Sequence, residues 1–160
     1  MRNDKTQLTD GRPVPEDDSH TELKPNGQQE GYVVLSPEER AAGFVRPYRE
    51  KYVHVGRALR GELEELDEPL ALGNKTYVGI DRYPIGKTRA GTYLMAEEVE
   101  QIKKTGRYGG CGSVTRMTRS IAETYARDPK FYGGTFCVGC GSHFPLDQFV
   151  WDGTVETVGS

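Results

Sequence analysis

Three cysteines and three histidines are the residues of this chain best suited to chemistry. Two of the cysteines sit in Thr135-Phe136-Cys137-Val138-Gly139-Cys140-Gly141-Ser142-His143. This Cys-x-x-Cys spacing lets both sulfurs face into one tight turn, and Gly141 can take the positive φ that such a turn needs. The third, Cys111, lies in Gly109-Gly110-Cys111-Gly112. Three thiolates and one histidine make a tetrahedral donor set for Zn²⁺. The fourth ligand is expected from His54, with His143 as the alternative; His20 lies in a polar N-terminal stretch. His143 is three residues past Cys140 and could join the same turn, whereas His54 would have to reach Cys111 through folding. A pair of ligands from each of two separate segments would tie the fold together, which favours His54. Four protein ligands leave no position for water, so such a site is structural; with neither histidine bound, a Lewis-acid role would return.

Other chemistries fit the same residues less well. A redox Cys-x-x-Cys normally opens a helix in a thioredoxin-like unit, but here Gly141 and Phe144-Pro145 follow. Cys111 with His54 could form a nucleophile and base, yet nothing local marks the pair. Gly86-Lys87-Thr88 resembles the end of a phosphate-binding loop, but Asp81 stands where that loop needs glycine. No Gly-x-Ser-x-Gly elbow is present. Deaminase chemistry wants His-x-Glu and Pro-Cys-x-x-Cys, whereas Gly56 and Phe136 occupy the deciding positions. Arg116, Arg119, Arg127, Lys130, Phe131 and Tyr132 surround one segment. They read as a solvated helix face with core aromatics, or as a small patch for nucleic acid or an acidic partner.

The elements that must position these residues come from a chain poor in apolar material. Of 160 residues, 35% are hydrophobic, with 20 glycines and 9 prolines, so a metal staple would add stability that the core lacks. With 21 basic and 24 acidic residues the formal charge is −3, which argues against nucleic-acid binding driven by net charge. No run approaches the roughly 20 apolar residues of a membrane span. The N-terminus lacks an apolar signal core, so no signal-peptide secretion is expected. An odd cysteine count suits a reducing compartment better than a disulfide framework.

Residues 1–30 are polar, with Leu8, Val14 and Leu23 as their aliphatic side chains beyond the initiator, and are expected to form a flexible arm. Gly31–Leu35 reads as a strand. Ser36-Pro37-Glu38-Glu39 is a helix start with a capping serine, and Gly43 stops the short helix. Phe44–Tyr48 and Tyr52–Gly56 read as extended. The character changes from Arg57 to Gly110. There Leu59, Leu63, Leu66 and Leu70 recur at helical spacing, ended by Pro69 and Gly73. A strand at Thr76–Ile80, a loop through Pro84, Gly86 and Gly91, and a helix over 95–105 follow, the helix ending at Gly106. Met117, Ile121 and Tyr125 give an amphipathic helix over 116–127, stopped by Asp128-Pro129. Asp152-Gly153-Thr154 is expected to turn a hairpin between 149–151 and 155–158.

The run from Ala122 through Arg127-Asp128-Pro129-Lys130-Phe131-Tyr132-Gly133-Gly134 to Cys137, then Cys140 and His143-Phe144-Pro145, resembles small zinc-knuckle-like proteins of bacteriophages and prophages. Gly31–Gly56 and Phe149-Val150-Trp151 extend the likeness to about two-thirds of the chain. In shorter members a His-x-Gly-Cys-Gly segment holds histidine and first cysteine together. Here the matching His54 and Cys111 are separated by 57–110, which the resemblance implies is an insert. It carries no activity to transfer.

The expectation is therefore an α+β domain over 31–160, with short strands and about three helices, stapled by zinc behind a flexible arm over 1–30. Its implied role is a non-enzymatic phage accessory protein acting through a protein partner, in the host cytoplasm or the virion. A minor virion component and a metal-dependent enzyme or nucleic-acid binder are the alternatives. No membrane role is expected.

Overall fold

The computed structural model describes residues 5–160, which divide into two compact units: Val55–Gly110, and the flanking segments through His54 and from Cys111. The architecture is mixed α and β, built from small antiparallel sheets and three α-helices. No helix among the described residues is long and apolar enough to cross a membrane.

In the flanking unit, β1 (Thr6–Leu8) pairs antiparallel with β2 (Val33–Leu35). The expectation of a free arm over 1–30 therefore needs correction among the described residues. Leu8 is fully buried against Gly31, and Thr9 N–H donates to Tyr32 O at 2.9 Å. One well-placed leucine and a backbone ladder hold a segment whose composition alone offers little to bury.

Helix α1 (Pro37–Arg40) starts as its sequence indicates: Ser36 Oγ accepts from Glu39 N–H, with proline at the first position. Strand β3 (Lys51–His54) alternates, with Tyr52 and His54 turned inward.

The unit 55–110 contains β4 (Gly56–Ala58), β5 (Glu62–Leu72), β6 (Lys75–Ile85), β7 (Thr88–Leu94), helix α2 (Ala96–Thr105) and β8 (Arg107–Gly109). Strands β5, β6 and β7 form an antiparallel meander in that order, and β4 pairs with β8. Of the leucines whose spacing suggests a helix over 59–70, Leu63, Leu66 and Leu70 belong instead to the edge strand β5, and Leu59 precedes it. A register shift between Glu65 and Leu70 breaks the twofold alternation there, so leucines three and four apart share the partly buried face. Pro69 falls within that irregularity, where it breaks no ladder bond. The expected loop through Pro84 and Gly91 is likewise a second hairpin, turned at Gly86-Lys87. Leu94, Val99, Ile102 and Tyr108 form this unit's core. Asp81, fully buried, accepts from Arg60 and Gly61 N–H at 2.8 and 2.9 Å.

The flanking unit resumes with β9 (Val114–Arg116) and α3 (Arg119–Arg127), which begins later than the expected 116 because 114–116 pair with β3. Then come β10 (Gly134–Cys137), β11 (Ser142–Pro145) and β12 (Phe149–Trp151). The sheet order is β12-β3-β9, with β10 and β11 as a separate hairpin. The 152–154 turn forms, returning the chain so that Val158 N–H donates to Phe149 O at 3.0 Å. The core gathers Tyr52, Met117, Ala122, Tyr125, Cys137, Phe149, Trp151 and Val158.

Candidate metal centre

The inward face of β3 ends on His54, whose ring is 1% exposed and stacked on Phe144, centroids 4.5 Å apart. Its backbone is held on the incoming strand: His54 N–H donates to Ser113 O at 3.2 Å, and His54 O accepts from Gly112 N–H at 2.9 Å. The chain thus leaves at His54 and returns at Cys111 beside it. These two bonds juxtapose residues 57 positions apart.

The β10–β11 hairpin supplies the other half. Cys137 closes β10 opposite Ser142, and Gly141 N–H donates to Cys137 O at 2.8 Å to close the turn. Gly141 takes φ +67°, the left-handed conformation for which glycine has no steric penalty. Val138 N–H donates to Thr115 Oγ1 at 3.0 Å, which fixes the turn against β9. A Cβ on Gly139 would lie 2.2 Å from Ser113 Oγ and 3.0 Å from Cys111 Sγ, so only a glycine lets the two segments close this far.

The result is a cluster of His54, Cys111, Cys137 and Cys140 whose donor atoms all lie within 4.8 Å of one another. Cys111 Sγ is 3.3 Å from Cys137 Sγ, and Cys140 Sγ is 3.6 Å from His54 Nδ1. His54 and Cys137 are buried; Cys111 and Cys140 are exposed. His54 Nε2 lies 2.9 Å from the amide oxygen of buried Gln148, and the Cys111 N–H points to Nδ1 at 3.4 Å. Both contacts suit a ring protonated on Nε2, with the Nδ1 lone pair turned towards the sulfurs. A hydrogen-bonded outer nitrogen of this kind orients a ligating histidine.

The thiols do not titrate alike. Burial opposes ionisation of Cys111, but hydrogen bonds from the Ser113 hydroxyl and backbone, with His54 and Cys137, bring it down to about 6. Burial and then the two neighbouring sulfurs push Cys140 up to about 12. Crowded thiols cannot all carry charge unless a cation balances them. This donor set could hold a metal ion.

His143, the alternative ligand, lies outside the cluster. Its Nε2 is 2.7 Å from Tyr32 Oη, and burial lowers its pKa. It joins β11 to the N-terminal segment instead. Gly27 strengthens that junction: a Cβ there would lie 2.0 Å from Gly141 O. His20 also stands apart from the cluster. Gln148, Ser113 and Tyr32 carry no sequence signal for these roles; Gln148 could be found only by knowing that Phe149 pairs with His54.

The other sequence features resolve into local structure. Gly86-Lys87 is a hairpin turn. Arg116 pairs with Glu50, Arg119 with Glu123 at 3.5 Å and Arg127 with Glu39 at 3.5 Å, which neutralises much of the basic segment. Tyr132 packs on the core and donates to Val33 O at 2.6 Å. No family model, curated protein or solved structure matches the chain.

Proposed function

We propose that His54, Cys111, Cys137 and Cys140 bind one structural Zn²⁺, and that the chain is a non-enzymatic accessory protein acting through a protein partner. Tetrahedral bonds of about 2.3 Å to sulfur and 2.0 Å to nitrogen place ligand atoms roughly 3.5–3.8 Å apart. The Cys140–His54 separation of 3.6 Å lies in that range, the Cys111–Cys137 sulfurs at 3.3 Å are closer than a bound pair, and no two donor atoms are more than 4.8 Å apart, so small side-chain adjustments complete the tetrahedron. The observation that carries the reading is the convergence of one histidine and three cysteines from three separate stretches of the chain. Zinc in this set satisfies all four positions with protein atoms, so it ties β3 and the 111–113 segment to the β10–β11 hairpin and leaves no site for substrate water. Metal-dependent catalysis would need such an exchangeable position. The phage setting rests on the resemblance of the 122–145 run.

Metal analysis of the purified chain tests the site, beside His54→Ala, Cys137→Ser and His143→Ala variants. One zinc per chain in wild type and His143→Ala, with loss in the other two, is the expected pattern. A folded wild type without metal, or loss confined to His143→Ala, would overturn it. Capture of a partner by the zinc-loaded chain from phage-infected cells tests the accessory role, and an equal yield from the Cys137→Ser variant would count against the metal's part in it.

A further inference from the structure

A partly enclosed cavity lies away from the four metal ligands, between the 24–32 segment and the face formed by β9, α3 and β10. Its volume is about 180 Å³, and a cavity of about 150 Å³ is enough to hold a benzene ring. Ile121, Tyr125, Tyr132 and Phe136 line its apolar side. The phenol hydroxyls nearby are largely committed: Tyr132 donates to Val33 O, and Tyr52 donates to Phe136 O while accepting from Thr135. This side of the wall is therefore aromatic and aliphatic, while Thr115, Thr118 and Thr135 add polar positions beside it.

The rim is different. Lys24, Gln29 and Glu30 also line the cavity, and no other described residue pairs with their side chains. Together they offer donors and acceptors of both signs, which complements a peptide unit with its one N–H and one C=O. A ring-sized aromatic interior under such a rim fits the aromatic anchor residue that dominates many protein interfaces.

We infer that this cavity receives one aromatic side chain of a partner protein, whose backbone meets the rim formed by Lys24, Gln29 and Glu30. The inference rests on the protein-interaction reading and names the chemistry of the partner. It also gives the metal hairpin a second task. The rim segment is docked on that hairpin through Tyr32–His143 and through Gly27 against Gly141, so the staple supports the pocket wall.

The test uses the full chain as purified from zinc-supplemented medium and follows its amide NMR signals during titration with N-acetyl-L-phenylalaninamide. Shifts are expected around Ile121, Tyr125 and Phe136 with a millimolar or tighter Kd, and at least tenfold weaker binding is expected for N-acetylglycinamide. Ile121→Trp fills the cavity and should abolish the shifts. Thr118→Trp provides a second block from an exposed lining position whose hydroxyl makes no helix cap, should the first variant fail to fold. Absence of shifts, equal shifts with the glycine amide, or tighter binding of free phenylalanine would overturn the inference; the last would make the occupant a free amino acid. Metal content of the same sample separates the claims: metal present without probe binding sinks the pocket alone, and probe binding without metal sinks the staple alone.

Discussion

Replacing Gln148 by leucine tests the metal centre without touching a ligand. Gln148 is buried, and its amide oxygen sits 2.9 Å from His54 Nε2. Leucine has similar bulk but cannot accept a hydrogen bond, so the buried Nε2–H loses its partner at a cost of about 1–3 kcal/mol. The ring can avoid that cost by moving its proton to Nδ1, which removes the lone pair facing the sulfurs. Outer-shell partners of ligating histidines typically contribute about 10–100-fold to metal affinity. Gln148→Leu should therefore weaken zinc binding by about 10–100-fold, or about 1.4–2.8 kcal/mol. Gln148→Glu, which keeps an acceptor, should bind at least as well as Gln148→Leu and closer to wild type. Competition with a chromophoric chelator measures all three affinities. If Gln148→Leu binds within about twofold of wild type, the hydrogen bond does not set the ring's ligating form and the outer-shell argument fails here.

Three further outcomes follow from particular contacts. Gly139→Ala should lower both zinc affinity and thermal stability, because its methyl would lie 2.2 Å from Ser113 Oγ; an unchanged melting curve would show that the two segments close with room to spare. Burial raises the pKa of Tyr125 and Tyr132, so the folded state favours their protonated forms. That stability is complete below the ordinary tyrosine value of about 10 and falls as pH rises through it. Alkaline titration should show these phenolates appearing together with loss of circular dichroism, and their appearance in a still-folded chain would contradict the assignment. Finally, replacing 55–110 by a two-residue Val-Gly link should leave a folded, zinc-binding unit, since Gly112 N–H already meets His54 O. An unfolded product, seen by NMR dispersion, would show that the 55–110 unit supports the site.

How much was legible depended on whether the signal was local. The Ser36-Pro37 helix start, the 152–154 turn and the Cys-x-x-Cys turn each arise from a few adjacent residues and appear as read. The helix reading of Leu59 to Leu70 failed because a register shift between Glu65 and Leu70 imitates helical spacing within a strand. The order of the N-terminal segment escaped because composition averages away Leu8, a single buried side chain paired with a distant strand. His54 and His143 could not be separated locally, since both histidines lie near glycines. Pairing of β3 with β9 sets His54 beside Cys111, and Tyr32 occupies His143.

X-ray absorption at the zinc edge of the purified protein tests the central claim most directly. The account predicts three sulfurs at about 2.3 Å and one nitrogen at about 2.0 Å, with the imidazole signature lost on His54→Ala. A shell containing an oxygen from water, or an unchanged imidazole signature in His54→Ala, would contradict it.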